Sequence, residues 1–287
     1  MRLVTYSDAH GTHLGALQND GVVALDAVAP DMLRLIDGGA ALLEQAQTLA
    51  AAGPLIARDT IHLLAPIPRP RQNVICLGMN YVEHAYESER ARGREPKLPA
   101  HPVFFTKAVT TVCAPEDDIP LDANITKELD YEVELAFVIG TGGKNIAREA
   151  AFSHIFGYTI INDVSARDLQ NQHLQFFKGK SLDRTCPMGP YILTADEVPD
   201  PAKLGLRLRL NGETRQDSSA ADLIFDIPTI IATFSLGTTI EAGTIFSTGT
   251  PSGVGMGRTP PSYMQPGDVM EAEVDGLGVL RNRIVQA

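Results

Sequence analysis

Short apolar runs, with few long amphipathic helices between them, dominate the chain beyond residue 70. The predicted helices cover roughly residues 80–92, 146–154, 165–175 and 227–236. The apolar runs are NVICLGMN, PVFFTKA, EVELAFVIG, FGYTIIND, LRLRLNG, TTIEAGTIFSTG and DVMEAEVDGLGVLRNRIV. Because such a pattern is typical of mixed or antiparallel sheets, we predict an α+β domain rather than a doubly wound parallel sheet.

The first part of the chain has a different pattern. Residues 1 to about 28 are typical of short strands joined by turns, and residues 30–52 carry apolar positions at helical spacing. The proline-rich segment Ala65–Asn73 favours neither a helix nor a central strand. We therefore predict a small N-terminal α/β domain over residues 1–66 and a larger catalytic domain over residues 70–287.

Composition narrows the class of protein. The 287 residues are 44% hydrophobic and 21% charged, which is ordinary for a globular protein. A formal net charge of -11 argues against a nucleic-acid or anionic-membrane partner, because binding to phosphates needs concentrated Lys and Arg. An anionic substrate must therefore meet locally arranged cations or a metal ion.

Cysteine usage and the N-terminus indicate the compartment. Cys76, Cys113 and Cys186 are widely spaced and odd in number, so we expect buried free thiols in a reducing compartment. The first residues contain no apolar signal core, and no uninterrupted apolar span is long enough to cross a bilayer. The expected location is cytoplasmic.

Two glutamates lie two positions apart in the apolar segment DYEVELAFVIG, and an aspartate ends the segment GYTIIND. Since side chains at i and i+2 of a strand point to the same side, Glu132 and Glu134 share a face, and Asp163 ends a second strand. Three carboxylates in one pocket repel one another. A hard divalent cation removes that conflict, because Mg²⁺, Mn²⁺ and Ca²⁺ prefer oxygen ligands. The pattern predicts a metal site.

The same alternation allows a second interpretation, in which an amphipathic strand leaves both glutamates in solvent. Its buried face would then be Tyr131, Val133, Leu135 and Phe137. Two features favour the metal site. The glutamate face continues with the apolar residues Ala136 and Val138. The segment GYTIIND also stays apolar until its end, like a buried strand whose carboxyl end opens on a site.

The charged segment GMNYVEHAYESERARG follows the apolar run NVICLG, and a helix there would place His84 and Glu87 on one face. A carboxylate beside an imidazole fixes its tautomer and raises its basicity, as in a general base that activates water. An exposed helix with a casual His/Glu pair is the alternative. The segment is also typical of a mobile lid over a pocket. Its arginines, Arg90, Arg92 and Arg94, indicate either a second anionic group on the substrate or a solvated basic face.

Two further segments carry candidate chemistry. In FFKGKSLD, Lys178 and Lys180 flank a glycine, and a lysine near a bound anion can neutralise charge that develops in a transition state. The glycine–proline loop FSTGTPSGVG offers backbone N–H groups that can hold a carboxylate. Ser252 in this loop does not sit in a G-x-S-x-G elbow, so a serine hydrolase is disfavoured. A lysine-bearing turn and a structural loop remain the alternatives.

Taken together, the chain resembles the fumarylacetoacetate hydrolase family in six segments that follow one another in the family's order. The segments are GMNYVEHAYE, VFFTKAVTTV, DYEVELAFVIG, GYTIINDVSARDLQ, FFKGKSLD and FSTGTPSGVG. The resemblance covers roughly residues 70–287, and the N-terminal part looks like the family's smaller variable domain. It implies a mixed β-roll fold, a bound Mg²⁺ or Mn²⁺ ion (Ca²⁺ is a further candidate in crystals), a cytoplasmic homodimer and a small anionic oxo-acid substrate.

The resemblance also implies a role for nine residues. The metal ligands correspond to Glu132, Glu134 and Asp163, the catalytic residues to His84, Glu87 and Lys180, and the substrate contacts to Gln170, Thr250 and, more weakly, Lys107. His84 and Glu87 match the pair on the lid of the family's acylpyruvase-like branch. The chain looks unlike the longer animal fumarylacetoacetase, which disfavours fumarylacetoacetate itself as the substrate.

The activity that these residues imply is hydrolysis of a C–C bond in a 2,4-dioxo acid, such as an acylpyruvate, fumarylpyruvate or a diketo sugar acid. His84, supported by Glu87, would deprotonate a water that attacks the 4-carbonyl, and Lys180 would stabilise the oxyanion. The products would be pyruvate and a carboxylic acid. An isomerase or β-decarboxylase of a related oxo acid, such as 2-hydroxyhepta-2,4-diene-1,7-dioate or oxaloacetate, remains open at the same metal site. A metal- or ligand-binding protein without turnover is the alternative from another class.

Overall fold

The computed structural model describes residues 1–19, 21–91, 93 and 95–287. The α-helices are α1 Met32–Asp37, α2 Gly39–Ala52, α3 Val82–Ala91, α4 Arg167–Gln172, α5 Phe177–Lys180 and α6 Ile227–Ser235. The strands are β1 Arg2–Asp8, β2 Gly11–Gln18, β3 Gly21–Ala24, β4 Leu55–Ala57, β5 His62–Leu64, β6 Val74–Gly78, β7 Val103–Lys107, β8 Val112–Cys113, β9 Asp118–Leu121, β10 Leu129–Asp130, β11 Val133–Ile139, β12 Gly143–Lys144, β13 Ile155–Asn162, β14 Ser165–Ala166, β15 Cys186–Thr194, β16 Gly205–Leu210, β17 Glu213–Ser219, β18 Thr239–Ile240, β19 Ile245–Ser247, β20 Val269–Val274 and β21 Gly278–Gln286. Short 3-10 helices occur between them, including Arg148–His154 and Gly255–Gly257.

A large mixed sheet forms the centre of the molecule. Its strands run in the order β4-β3-β2-β1-β15-β13-β11-β19-β6-β7, with β5 paired to β1 and β8 paired to β15. Most neighbours are antiparallel, but β19 pairs with β6 in parallel. This arrangement confirms the predicted α+β class. The many short apolar runs beyond residue 70 form most of the strands.

A second sheet, in the order β17-β16-β20-β21-β9, packs against one face of the first. The core between them contains Leu135 and Phe137 from β11 together with Leu208 of β16 and Ala272 of β20. The opposite face of β11 contributes Ala136 to a second core, shared with residues of α1 such as Leu35. Because both of its faces are buried, β11 is apolar throughout apart from the glutamate at its start.

The N-terminal part extends the large sheet. Strand β1 pairs with β15, with Arg2 opposite Leu193 and Leu3 opposite Ile192. The predicted helical stretch over residues 30–52 is two helices, α1 and α2, and the break falls at Gly38, a residue of low helix propensity. The division into domains at residues 1–66 and 70–287 stays a prediction.

Two further predictions from composition can be compared with the structure. Cys76, Cys113 and Cys186 are buried and unbonded, which confirms the free thiols. Burial raises the pKa of the Cys186 thiol to about 12, so this side chain is an unreactive part of the core. Within the described ranges, no helix combines the length and the apolar character that a membrane span requires.

Candidate metal centre and catalytic pocket

Three acidic side chains meet where β11 begins and β13 ends. Val133 lies opposite Asn162 in the pairing of these strands, and the Asp163 amide donates a hydrogen bond of 2.8 Å to the Glu132 carbonyl. This register brings the two glutamates and Asp163 to one end of the sheet. One oxygen from each carboxylate lies within 4.8 Å of the others, and all three residues are buried. The structure therefore assembles the predicted acidic cluster.

The donor set of this cluster fits a hard divalent cation. Opposed oxygen ligands are about 4.2 Å apart around Mg²⁺ and about 4.8 Å apart around Ca²⁺, given metal–oxygen distances near 2.1 and 2.4 Å. The observed spread of at most 4.8 Å is compatible with either. Oxygen-only ligation also favours Mg²⁺, Mn²⁺ or Ca²⁺ over softer metals.

Three buried cations surround the same carboxylates. The Lys180 ammonium lies 2.7 Å from Glu132 Oε2 and 2.7 Å from Asp163 Oδ2. Lys107 donates to Asp163 Oδ1 at 2.7 Å, and Arg167 Nη2 lies 2.7 Å from Glu132 Oε1. These contacts neutralise most of the negative charge of the buried carboxylates. The cluster is therefore an environment that favours cations.

The surrounding charges act differently on the two glutamates. Burial, together with Asp163 and Glu132, raises the pKa of Glu134 well above its ordinary value. Burial also acts to raise the pKa of Glu132, but Lys180 and Arg167 outweigh it and hold that pKa at about 2. The protein's own cations therefore compensate Glu132 but not Glu134, and a further cation beside Glu134 would stabilise its charged form.

Glu134 is held in place from the neighbouring strand. Ser247, at the end of β19, donates from Oγ to Glu134 Oε2 at 2.5 Å, and the Gly249 amide donates to the same oxygen at 3.0 Å. Among the described residues, no donor bonds the other carboxylate oxygen, Glu134 Oε1. Fixing one oxygen by two donors orients a metal ligand, as outer hydrogen bonds commonly do.

The predicted His/Glu pair lies on helix α3, beside this cluster. His84 Nδ1 is 3.2 Å from Glu87 Oε2, and His84 Nε2 is 3.3 Å from the Ser88 hydroxyl. With Glu87 ionised, Nδ1 carries the imidazole proton and Nε2 is left as the acceptor. His84 is close enough to the cluster that the positive charge of its imidazolium form would lower the pKa of Glu132.

The glycine-rich loop after β19 supports Glu87. The Gly253 amide donates to Glu87 at 3.1 Å, in a backbone conformation with φ of 105° that favours glycine. A Cβ atom added at Gly257 would lie 2.2 Å from Glu87 Oε1. Helix α3 is thus docked on this loop through Glu87. Arg92 and Arg94 of the predicted lid lie outside the described residues.

A small cavity of about 20 Å³ lies between the lid helix and the carboxylate cluster. This volume is comparable to one or two water molecules, so the pocket is narrow. Its polar lining consists of His84, Ser88, Glu132, Arg167, Gln170, Lys180 and Thr250. A larger cavity of about 570 Å³ shares Met79, Gln170 and Phe176 with it and continues outward.

The three expected substrate contacts occupy different environments. Gln170 lines the small cavity and accepts from Arg167 Nη1 at 3.1 Å. Thr250 also lines it, donating to the Val133 carbonyl at 3.0 Å and accepting from Gln216 at 2.7 Å. Lys107 is fully buried behind the cluster, where it bonds Asp163 and the Val164 carbonyl. A role for each in substrate binding stays a prediction.

The sequence patterns did not identify Arg167 and Ser88, which line the pocket, or Ser247, which bonds Glu134. Arg167 lies three positions before Gln170 on helix α4, so helical spacing could have placed it beside that predicted substrate contact. No comparable signal marks Ser247, because its importance follows from the pairing of β19 with β11.

We expect divalent cations to stabilise the folded protein. A ligand that binds only the native state adds about 2.7 kcal/mol at 100 times its Kd. Melting curves with Mn²⁺ or Mg²⁺, compared with curves in chelator, will measure the effect. The Lys180→Met variant should melt at a lower temperature in chelator and gain more from Mn²⁺, because Glu132 and Asp163 lose their shared ammonium. Melting temperatures that do not depend on the metal would contradict a metal site.

Comparison with known proteins places the chain among related sequences. Residues 73–285 match the family model described as fumarylacetoacetate (FAA) hydrolase C-terminal. The chain is 50% identical over 224 residues to oxaloacetate tautomerase YisK of Bacillus subtilis (strain 168), covering 78% of this chain and 73% of that protein. It is 38% identical to the human mitochondrial oxaloacetate tautomerase FAHD2A over an alignment of 296 positions, covering 99% and 92% of the two chains.

Among the solved structures that match along their full length, two are informative for this chain. The fumarylacetoacetate hydrolase EaFAH from psychrophilic Exiguobacterium antarcticum is 39% identical, with a TM-score of 0.87 and complete coverage of both chains. The maleylpyruvate hydrolase from Sphingobium sp. SYK-6, in complex with manganese(II) ion and pyruvate, is 29% identical, with a TM-score of 0.82 and complete coverage of both chains. The second structure holds a divalent metal, as the donor set of the acidic cluster suggests for this chain.

Proposed function

Since the chain belongs to the fumarylacetoacetate hydrolase family, we propose that it is a metal-dependent tautomerase that interconverts the keto and enol forms of a small 2-oxo acid. Oxaloacetate is the first substrate to test. The proposal therefore favours the isomerase branch of the sequence-based expectations over the hydrolase branch.

The observation that carries the proposal is the set of side chains that line the small cavity. Its lining includes Glu132, one of the three carboxylates that fit a metal, together with the His84 imidazole and the Lys180 ammonium. The imidazole can accept a proton and the ammonium can donate one. Tautomerisation needs these three functions and no water in the bond-making step. The relatives named oxaloacetate tautomerase, one of them 50% identical, support the same reaction.

In the proposed mechanism, a cation held by Glu132, Glu134 and Asp163 would supply Lewis-acid polarisation and a template for the 1-carboxylate and 2-oxo oxygens. His84 Nε2 takes the proton from carbon 3, and Glu87 stabilises the imidazolium that forms. A proton is delivered to the 2-oxo oxygen from the Lys180 side of the cavity. Burial alone would lower the pKa of Lys180, but Asp163 and Glu132 outweigh it and raise that pKa, so the side chain enters as the ammonium.

The closed lid contributes by excluding water. Docking of α3 on the glycine-rich loop leaves room for only one or two waters beside the cluster. With so little water in the pocket, the electrostatic interactions of Lys180 and Arg167 with developing negative charge are stronger. Opening of α3 is then the step that admits substrate, by way of the larger outer cavity.

Hydrolysis of a 2,4-dioxo acid is the second candidate. The observation that favours it is the His84–Glu87 pair, whose geometry also suits activation of a water molecule. The maleylpyruvate hydrolase that shares this fold supports it at lower identity. In that reaction Lys180 would stabilise an oxyanion at the 4-carbonyl, and the products would be pyruvate and a carboxylic acid.

Product analysis separates these candidates. The purified protein is incubated with Mg²⁺ or Mn²⁺ and, in turn, with oxaloacetate, acylpyruvates, fumarylpyruvate and diketo sugar acids, and products are identified by mass and by NMR. We expect faster keto–enol exchange of oxaloacetate with unchanged mass. Pyruvate plus a carboxylic acid would establish the hydrolase, and carbon dioxide would establish a β-decarboxylase. Tight metal binding with no turnover on the panel would support a non-catalytic binding protein.

Three further proposals rest on the resemblance to the family and not on the geometry of the site. We propose Mg²⁺ or Mn²⁺ as the working metal, a homodimer as the assembly and the cytoplasm as the location. Metal analysis of protein purified without added salts, and light scattering of the same sample, will test the first two.

A further inference from the structure

Asp130 is a buried carboxylate that lies outside the metal cluster and accepts four hydrogen bonds. Its Oδ1 accepts from the amides of Tyr131 at 2.9 Å and Gly255 at 2.7 Å. Its Oδ2 accepts from the Met256 amide at 3.0 Å and from Arg167 Nε at 2.9 Å. A carboxylate offers about four acceptor positions, so this side chain is fully used.

One side of this network leads to the metal cluster. The guanidinium that Asp130 fixes through Nε reaches Glu132 with Nη2, at 2.7 Å from Oε1. Its Nη1 donates to the Gln170 side chain at 3.1 Å. Because a guanidinium is rigid and planar, the bond to Nε sets the direction of the other two nitrogens. Asp130 therefore orients Arg167 towards Glu132 and the pocket.

The other side of the network leads to the lid. The amides of Gly255 and Met256 belong to the 3-10 helix Gly255–Gly257, which contacts α3. Glu87 rests between this helix and the Gly253 amide, and no room is left for a side chain at Gly257. The carboxylate of Asp130 therefore fixes the backbone against which Glu87 packs. Because Glu87 contacts His84, the position of His84 depends on the same backbone.

We infer that Asp130 is a positioning residue with two roles. It fixes the loop amides against which Glu87 of the lid helix packs, and it orients the Arg167 guanidinium beside Glu132. A residue that only secured β10 would need the bond to the Tyr131 amide alone. The remaining three bonds are directed to the loop and to Arg167. The inference rests on the proposed function for its kinetic consequence only, since lid docking and metal binding are measured without substrate.

The Asp130→Asn variant tests this inference. The NH₂ group of an asparagine would replace one of the two carboxylate oxygens and would then face either the Gly255 N–H or the Arg167 Nε–H, which are both donors. The substitution also removes the negative charge opposite the guanidinium. We expect hydrogen exchange of residues 82–91 to accelerate about tenfold or more, as unsatisfied buried donors loosen the seat. Mn²⁺ binding, measured by calorimetry, should be retained, because Glu132, Glu134 and Asp163 are unchanged. With an active substrate, kcat should fall more than KM rises.

Two further variants complete the test. Asp130→Glu keeps the charge for Arg167 but moves the oxygens away from the loop amides, so it should accelerate exchange of residues 82–91 and preserve Mn²⁺ binding even if Asp130→Asn does not fold. Asp37→Asn removes an Asp–Arg pair with Arg71 far from the pocket and should leave exchange of residues 82–91 at the wild-type rate. Wild-type exchange of residues 82–91 in a folded Asp130 variant would overturn the inference. Loss of Mn²⁺ binding with undisturbed exchange would overturn it as well.

Discussion

Replacing Asp163 by asparagine is expected to abolish divalent-metal binding and metal-dependent turnover. Asp163 is fully buried, and its two oxygens pair with Lys107 and Lys180 at 2.7 Å each. An amide keeps the shape of the side chain but removes one of the three carboxylates that form the cluster. The two ammonium groups then repel an incoming cation without a carboxylate between them.

The same substitution should lower stability, since breaking a buried ion pair typically costs about 3–5 kcal/mol. Calorimetric titration with Mn²⁺ is therefore made at low temperature on protein whose fold is verified by circular dichroism. Asp37→Asn, which removes an ion pair with Arg71 near the N-terminal helices, is the matched control and should bind Mn²⁺ like the wild type. Wild-type affinity for Mn²⁺ in the Asp163→Asn variant would show that the cluster is not the metal site.

Replacing His84 by alanine is expected to slow turnover by about 10²–10⁴-fold, the usual contribution of general acid–base catalysis. His84 is buried and lines the cavity, with Nδ1 3.2 Å from Glu87 and Nε2 3.3 Å from the Ser88 hydroxyl. Its removal leaves no other imidazole among the described residues that line the cavity. Mn²⁺ affinity should persist, because His84 is not one of the three clustered carboxylates.

Two companion variants sharpen this prediction. His13→Ala removes a histidine that also contacts carboxylates, Asp8 and Asp26, but lies in the N-terminal part, so it should leave kcat unchanged. Gly257→Ala should displace Glu87, because the added Cβ falls 2.2 Å from Oε1, and reduce kcat while His84 itself is intact. Full activity of the His84→Ala variant would exclude proton transfer by this residue in either proposed reaction.

The acidic cluster could be predicted from the sequence because it depends on local rules. Alternation along a strand places Glu132 and Glu134 on one side, and a buried strand that ends in a polar pair points to a site at its end. The structure adds that both interpretations of β11 hold in part. Leu135 and Phe137 form one buried face, while the glutamate face is buried as well. The second sheet covers the face with Leu135 and Phe137, and the core shared with α1 covers Ala136 on the opposite face. No local pattern reveals either contact.

Contacts between distant segments could not be predicted from spacing alone. The bond from Ser247 to Glu134 spans 113 positions, and that from Gly253 to Glu87 spans 166. Each depends on which strands become neighbours, and the position of Lys107 behind Asp163 depends on the pairing of β6 with β7 in the same way. Sequence patterns therefore identified most of the pocket's chemical groups, whereas the partners that orient them required the fold.

Exchange of the carbon-3 protons of oxaloacetate in D₂O tests the central claim most directly. The exchange is followed by NMR with Mg²⁺- or Mn²⁺-loaded protein, with chelator, with metal alone and with the Asp163→Asn variant. We predict that only the metal-loaded wild-type protein accelerates exchange beyond the rate with metal alone, with no pyruvate formed beyond the metal-only background. Exchange at the metal-only rate in the presence of folded, metal-loaded protein would contradict a tautomerase at this carboxylate cluster.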